Sequence, residues 1–203
     1  MRKKAENSVS KNKILMEAFK LFASKPFDKV TFADLENATG LSRGAILYHV
    51  KTKENLFDMI LDELIFKRTT IAIDPNTTGL WNHIEVFIQE RINEQKYFAS
   101  LGIANINKAF MNVECSAFAY STKMQEFSTS WLKRELKYWT AIFDNAIATG
   151  EISKSVEPIL DSNIFFNIFM GASYIGAGLL NGYDLLKLKE QYRILYDRVK
   201  KDK

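Results

Sequence analysis

Residues 31–57 read TFADLENATGLSRGAILYHVKTKENLF, and the starts and stops of three helices are marked on this one stretch. Thr31 and Asp34 stand three apart as a capping-box-like pair; Phe32, Leu35 and Ala38 follow at helical spacing until Gly40 supplies a turn. Ser42 is the next N-cap, opening a helix from Arg43 to about Val50, and after Lys51 the hydroxyl of Thr52 caps another. Two helices of about eight residues joined by Thr39-Gly40-Leu41-Ser42 have the size and spacing of a helix-turn-helix.

The second of these helices carries the chemistry. Ser42, Arg43 and Gly44 lie at its N-terminus, where free N–H groups and the positive end of the dipole attract phosphate oxygens. Arg43 is placed for a guanine edge, while Gly44 and Ala45 keep the helix thin enough for its backbone to approach bases, with the Ala45 methyl suited to thymine. Tyr48 and His49 follow one turn on as phosphate or sugar donors, and Lys53 and the Thr31 hydroxyl are further phosphate candidates. Charge agrees: residues 1–53 hold eleven Lys or Arg against five acids, whereas the whole chain is only +4. The Arg2-Lys3-Lys4 arm is a candidate for groove or backbone tracking and equally for a solubilising tail.

Over residues of about 12 to 66 the sequence resembles the TetR family, and the run from Thr31 to Phe57 carries that resemblance almost from end to end. The resemblance implies an all-helical homodimer on double-stranded DNA, with Thr31, Tyr48, His49 and Lys53 on the phosphate backbone and Ser42, Arg43, Gly44 and Ala45 facing the groove. Leu47 departs from the family's frequent tyrosine and Val50 from its frequent phenylalanine. Leu47 cannot donate a hydrogen bond, so its expected contact is an apolar one with a thymine methyl.

Outward from this stretch the chain reads as about nine helices in an all-α fold. With 47% hydrophobic residues and three prolines in 203, it has ample material for a core. Before the stretch, Ile14, Leu15, Ala18, Phe19, Leu21 and Phe22 predict an amphipathic helix capped by Ser10 and closed by Lys25-Pro26. After it, Leu56 to Ile65 predict a long helix to about Thr69, and residues 73–79 form the clearest break. A helix from Leu80 and a less regular stretch at 96–112 follow, then one long helix from Glu114 to Thr149 ended by Gly150. The expected division is 1–51, basic arm and DNA reader, and 52–203, helical sensing and dimerisation domain.

Ser162 to Tyr183 is uncharged and long enough to span a bilayer, but its asparagines and four glycines weaken that reading. Gly171, Ala172, Ile175, Gly178, Leu179 and Gly182 instead predict a small-residue helical face, the candidate dimer interface. The resemblance also implies an effector pocket between the fourth and eighth helices, with Phe98, Phe110, Met124, Phe127, Trp131 and Phe169 as candidates for its lining. No cluster of acids or of Arg and Lys stands out there, which favours an apolar or aromatic small molecule. The functional expectation is a transcriptional regulator, a repressor released from a palindromic operator by its ligand. The alternative is a DNA-binding protein controlled by a partner or by nothing. An enzyme is disfavoured, because no Ser/His/Asp arrangement, metal-ligand cluster or phosphate-cradling glycine loop is visible; no cofactor is called for. Cys115 reads as a small buried apolar residue, His83 as structural, and the absence of a signal peptide makes the cytoplasm the default.

Overall fold

A computed structural model describes residues 2–66, 74–75 and 79–201. Nine α-helices follow one another among them: α1 (Arg2–Ser24), α2 (Phe32–Thr39), α3 (Arg43–Val50), α4 (Lys53–Ile60), α5 (Leu80–Ser100), α6 (Ile106–Tyr120), α7 (Met124–Ala148), α8 (Pro158–Ala177) and α9 (Leu185–Val199). The expected all-α architecture is present, and the described residues contain only an isolated bridge, Ile152 to Lys200, in place of any strand. No helix among them is long and apolar enough to cross a membrane.

The chain folds as two compact units, one of residues 1–70 with 108–127, the other of 71–107 with 128–203. The first therefore extends past the expected boundary at residue 51 and takes in most of α6. Its centre is aromatic: the Phe22 ring lies 4.9 Å from Phe57 and 5.7 Å from Phe27. Phe110 of α6 meets Phe19 at 5.3 Å, and Asn112 Nδ2 donates to the Ala23 carbonyl at the end of α1, 2.7 Å. Ile46, Val50, Leu56 and Ile60 complete the buried face of α3 and α4.

Several boundaries differ from the sequence expectation. α1 begins at Arg2 rather than after Ser10, since Arg2 to Glu6 are good helix formers and no Gly or Pro interrupts residues 2–10; the side chains of Arg2, Lys3 and Lys4 lie outside the described residues. α4 gives way at Leu61 to a π-helical stretch ending at Phe66, and residues 67–69 of the expected long helix lie outside the described residues, as does most of the 73–79 break. The helix expected from Glu114 to Thr149 is broken at 121–123, where Ser121 Oγ accepts from the Lys123 N–H and so competes with the helical ladder. Cys115 is exposed, because Ile106, Ala109, Phe110, Val113 and Ala117 set the inward face of α6 and residue 115 falls opposite.

The second unit packs α5, α8 and α9 with the C-terminal part of α7 around Ile84, Phe87, Trp139, Phe143, Phe165 and Tyr192. α7 ends as expected at Gly150, which takes φ +76°; the Glu151 N–H returns to Ala146 and the Gly150 N–H to Ile147. This turn throws Glu151 onto the N-terminus of α5, where Gly79 offers no side-chain cap. The Glu151 carboxylate accepts the N–H groups of Leu80 (2.8 Å) and Trp81 (2.9 Å) and the Tyr196 hydroxyl (3.1 Å), tying α5, the α7–α8 connection and α9 together.

Two predictions arise. Glu151→Ala leaves the first two N–H groups of α5 without their acceptor and is expected to lower stability by about 2 kcal/mol in urea denaturation. His83 is wholly buried, and desolvation of its charged form holds its pKa near 4 instead of 6.5. Between those values the unfolded chain binds a proton that the native one refuses, so stability falls as pH drops from about 6.5 to about 4, by up to about 3 kcal/mol. His83→Phe is expected to flatten that slope in melts run across the same pH range.

Candidate nucleic-acid interface

α2 and α3 meet through Gly40, whose φ of +68° is the left-handed conformation that closes α2 and turns the chain by the shortest route. The capping box expected at Thr31 is complete. Asp34 N–H donates to Thr31 Oγ1, 3.2 Å, while the Thr31 N–H and hydroxyl both donate to Asp34 Oδ2, 2.9 Å each. Lys25 Nζ also donates to this carboxylate, 2.9 Å; that bond first, then those from Thr31, holds the Asp34 pKa down at about 2. The Thr31 hydroxyl proton is thereby engaged within the protein.

α3 is seated by one face and open on the other. Ile46 and Val50 are buried, whereas Ser42, Arg43, Gly44 and Tyr48 are exposed, Tyr48 by 75%; Ala45, Leu47 and His49 are half-buried. Its first turn is held by two acceptors: Ser42 Oγ takes the Ala45 N–H, 3.3 Å, and the Glu36 carboxylate of α2 takes the Arg43 N–H, 2.8 Å. The Arg43 guanidinium rests 5.1 Å over the Phe32 ring, and the Tyr48 and His49 rings meet edge to face at 5.2 Å. Gly44 has a helical φ, and a Cβ built on it meets nothing within 4 Å. Nothing inside the protein requires glycine there.

The junction after α3 is tight. Lys51 has φ +60° and ψ −58°, and the Thr52 N–H closes back on the Val50 carbonyl at 2.7 Å, a three-residue turn that strains a side-chain-bearing residue. Asn55 Nδ2 donates to the same Val50 carbonyl, 2.8 Å, and Thr52 Oγ1 accepts from the Asn55 N–H. Lys53 bends inward: its ammonium donates to the carbonyls of Phe27 and Val30, 3.0 Å each, and sits 4.4 Å over the Phe27 ring. It thus closes the 3₁₀ turn Phe27–Lys29, and one of its three N–H donors remains beyond those two bonds.

The expected sensing residues are divided between the two units. Phe110, Met124 and Phe127 belong to the first unit, Phe110 against Phe19 of α1; Phe98, Trp131 and Phe169 belong to the second, Phe169 edge-on to Phe87 at 4.9 Å. A charged group was missed: Arg91, Glu94 and Glu135 have side chains only 13–14% exposed in the second unit. The signal was the four-residue spacing of His83, Phe87 and Arg91 on α5 and of Trp131 and Glu135 on α7, legible only once the two helices are known to face each other.

The small-residue face at 171–182 needs correction. α8 stops at Ala177, so Gly178 is its C-cap, Leu179 lies in the turn beyond, and Gly182 takes φ +83°, where an added Cβ would lie 2.7 Å from Asn107 Oδ1. Gly171, Ala172 and Ile175 stay on the helix, with Ala172 buried. What α8 and α9 do expose is larger and apolar: Ile159, Leu160, Ile164, Tyr174, Ile175, Leu186 and Ile194, with a groove of about 310 Å³ among Gly171, Ile175, Tyr183 and Ile194. Within α8 the fold requires Gly176, where a Cβ would lie 2.6 Å from Asn107 Oδ1 and 2.7 Å from the Tyr183 nitrogen.

Residues 14–60 match the profile of the bacterial regulatory proteins, tetR family. The HTH-type transcriptional repressor AcnR of Corynebacterium jeikeium is 32% identical over 102 residues, 44% of this chain; the match spans only 54% of that repressor's length. Among solved structures, native NalD of Pseudomonas aeruginosa, a secondary repressor of the MexAB-OprM multidrug efflux pump, superposes with a TM-score of 0.61 at 14% identity, covering 97% of this chain and 100% of NalD. A SmeT–triclosan complex superposes at 0.67 with 15% identity, covering 96% and 93%. At these identities the structures speak for the fold alone. The capped, half-seated helix α3 lies inside the matched segment, and it is this segment that is similar to the tetR family of bacterial regulatory proteins.

Proposed function

We propose that the protein is a sequence-specific, DNA-binding transcriptional repressor that reads the major groove with α3 and is released by a small-molecule effector. The observation that carries this is Gly44. A glycine inside a helix costs about 0.5–1 kcal/mol relative to alanine, and here no internal neighbour would object to the methyl. A position kept bare at the protein's expense, flanked by exposed Ser42, Arg43 and Tyr48, fits close approach of the α3 backbone to an external surface. Ser42, Arg43, Gly44, Ala45 and Leu47 then face base edges, and Tyr48 and His49 reach phosphate or sugar. Thr31 and Lys53 act first by fixing the turn before α2, and the remaining Lys53 donor serves a phosphate.

The apolar surface of α8 and α9 supports a homodimer formed through those helices, with Gly171 and Ile175 inside the contact and Gly178, Leu179 and Gly182 shaping the turn beside it. Two reading helices related by a two-fold axis imply a palindromic operator. Release requires a ligand that binds better to the arrangement in which the two readers no longer match the groove, and it lowers DNA affinity by the same factor. The aromatic-rich helical units support an apolar or aromatic effector, and triclosan bound to SmeT is consistent with that class. The site of action is wherever the chromosome is, the bacterial cytoplasm.

A duplex selected from random sequence supplies the test. Gly44→Ala is expected to raise folding stability by about 0.5–1 kcal/mol yet weaken the selected duplex at least about tenfold; stronger binding would sink the proposal. Arg43→Ala is expected to lose about 1–3 kcal/mol on that duplex and far less on random DNA, measured by fluorescence anisotropy. Wild-type affinity is expected to fall steeply with added salt.

A further inference from the structure

The amino end of α3, expected from its sequence to attract phosphate oxygens, already holds an anion of the protein's own. Glu36 reaches across from α2, and its Oε1 accepts the Arg43 N–H at 2.8 Å. Ser42 Oγ takes the Ala45 N–H, 3.3 Å, so two of the first three N–H groups of the helix are satisfied internally, one of them by a carboxylate. This happens on the open side of the reader: Ser42, Arg43 and Gly44 are exposed, and Glu36 is half-buried. A carboxylate is favourable against a helix N-terminus for the same reason that a phosphate is, so the two compete for one place.

The same face of α2 holds Arg43 at both ends. Phe32 and Glu36 are four residues apart, about one turn of the helix. Glu36 takes the main-chain N–H of Arg43, while the Phe32 ring carries its guanidinium at 5.1 Å. A ring face holds a guanidinium less firmly than a carboxylate does, and the contact can be exchanged for guanine O6 and N7. Phosphates are met on DNA of any sequence, whereas base edges are not. A negative charge at this end of α3 therefore opposes binding in which the helix end rides on phosphates more than binding in which it lies over base pairs.

Resting on the reading of α3 above, we propose that Glu36 is a specificity-determining residue of the DNA reader: its charge keeps the amino end of α3 off the phosphate backbone, so that Arg43 meets base edges instead. The cost falls on DNA of every sequence, and it falls least on the operator.

Two variants of the full-length protein separate the charge from the cap. Glu36→Gln keeps an acceptor for the Arg43 N–H and loses the charge; Glu36→Asp keeps the charge on a shorter arm. Each is titrated by fluorescence anisotropy with the selected duplex and with a random one, over a range of salt, and melted without DNA. Glu36→Gln is expected to bind the random duplex at least about threefold more tightly than wild type, the effect of one charge at close range, and with a steeper salt dependence. Its preference for the selected duplex narrows accordingly. Glu36→Asp is expected to hold random-duplex binding within about twofold of wild type even where its melting temperature falls. A wild-type preference and salt slope in Glu36→Gln overturns the proposal and leaves Glu36 a helix cap; so does tighter random binding in Glu36→Asp than in Glu36→Gln. If the wild-type protein prefers no duplex over another, the reading of α3 falls as well.

Discussion

An eight-residue helix has no stability of its own, and the reading unit is organised by that constraint. α3 exists because Ile46 and Val50 are buried as it packs on α2 and α4, and because Ser42 and Glu36 satisfy its first turn. Burial of one side is what permits the other to stay bare. Arg43 can lean on Phe32 and still be exposed, and Gly44 can forgo a side chain, only because the seated face supplies the free energy that the exposed face does not. The strained turn at Lys51 and the inward Lys53 continue the same logic. They fix where α3 ends and how α4 leaves it, spending charge and backbone strain on position rather than on surface solubility.

The second unit solves its own terminus problem at a distance. Glu151 caps α5 from the far end of α7, and Tyr196 of α9 bonds the same carboxylate, so three segments distant in sequence share one charge. That arrangement is fully satisfied. The seam between α5 and α7 is not: the His83 ring nitrogens and the Trp131 indole N–H are buried with no hydrogen-bond partner among the described residues. Such a contrast inside one unit separates a group that the fold uses from groups that the fold tolerates.

How much was legible follows the range of each interaction. The caps at Thr31, Ser42 and Thr52 and the left-handed Gly40 and Gly150 are local, made between residues within a few positions of one another, and their residue types announce them. The all-α class and the reading helix came from the same signals. Spacing failed where a local competitor intervened, as when the Ser121 hydroxyl interrupted an otherwise regular run, or where a helix stopped early, stranding Gly178, Leu179 and Gly182 beyond α8. The inward face of α6 is periodic in sequence, but which face was inward was not, and Cys115 went to the other side.

Sequence by itself determined where α2, α3 and α4 begin and that the described residues are mainly helical, because propensity, capping and turn geometry act between near neighbours. Tertiary structure alone decided that most of α6 belongs with the reader, that Lys53 turns inward to two carbonyls, and that Arg91, Glu94 and Glu135 share an interior. Those outcomes depend on burial and charge summed over segments tens of residues apart, and no pattern along a single chain encodes which of its faces will meet.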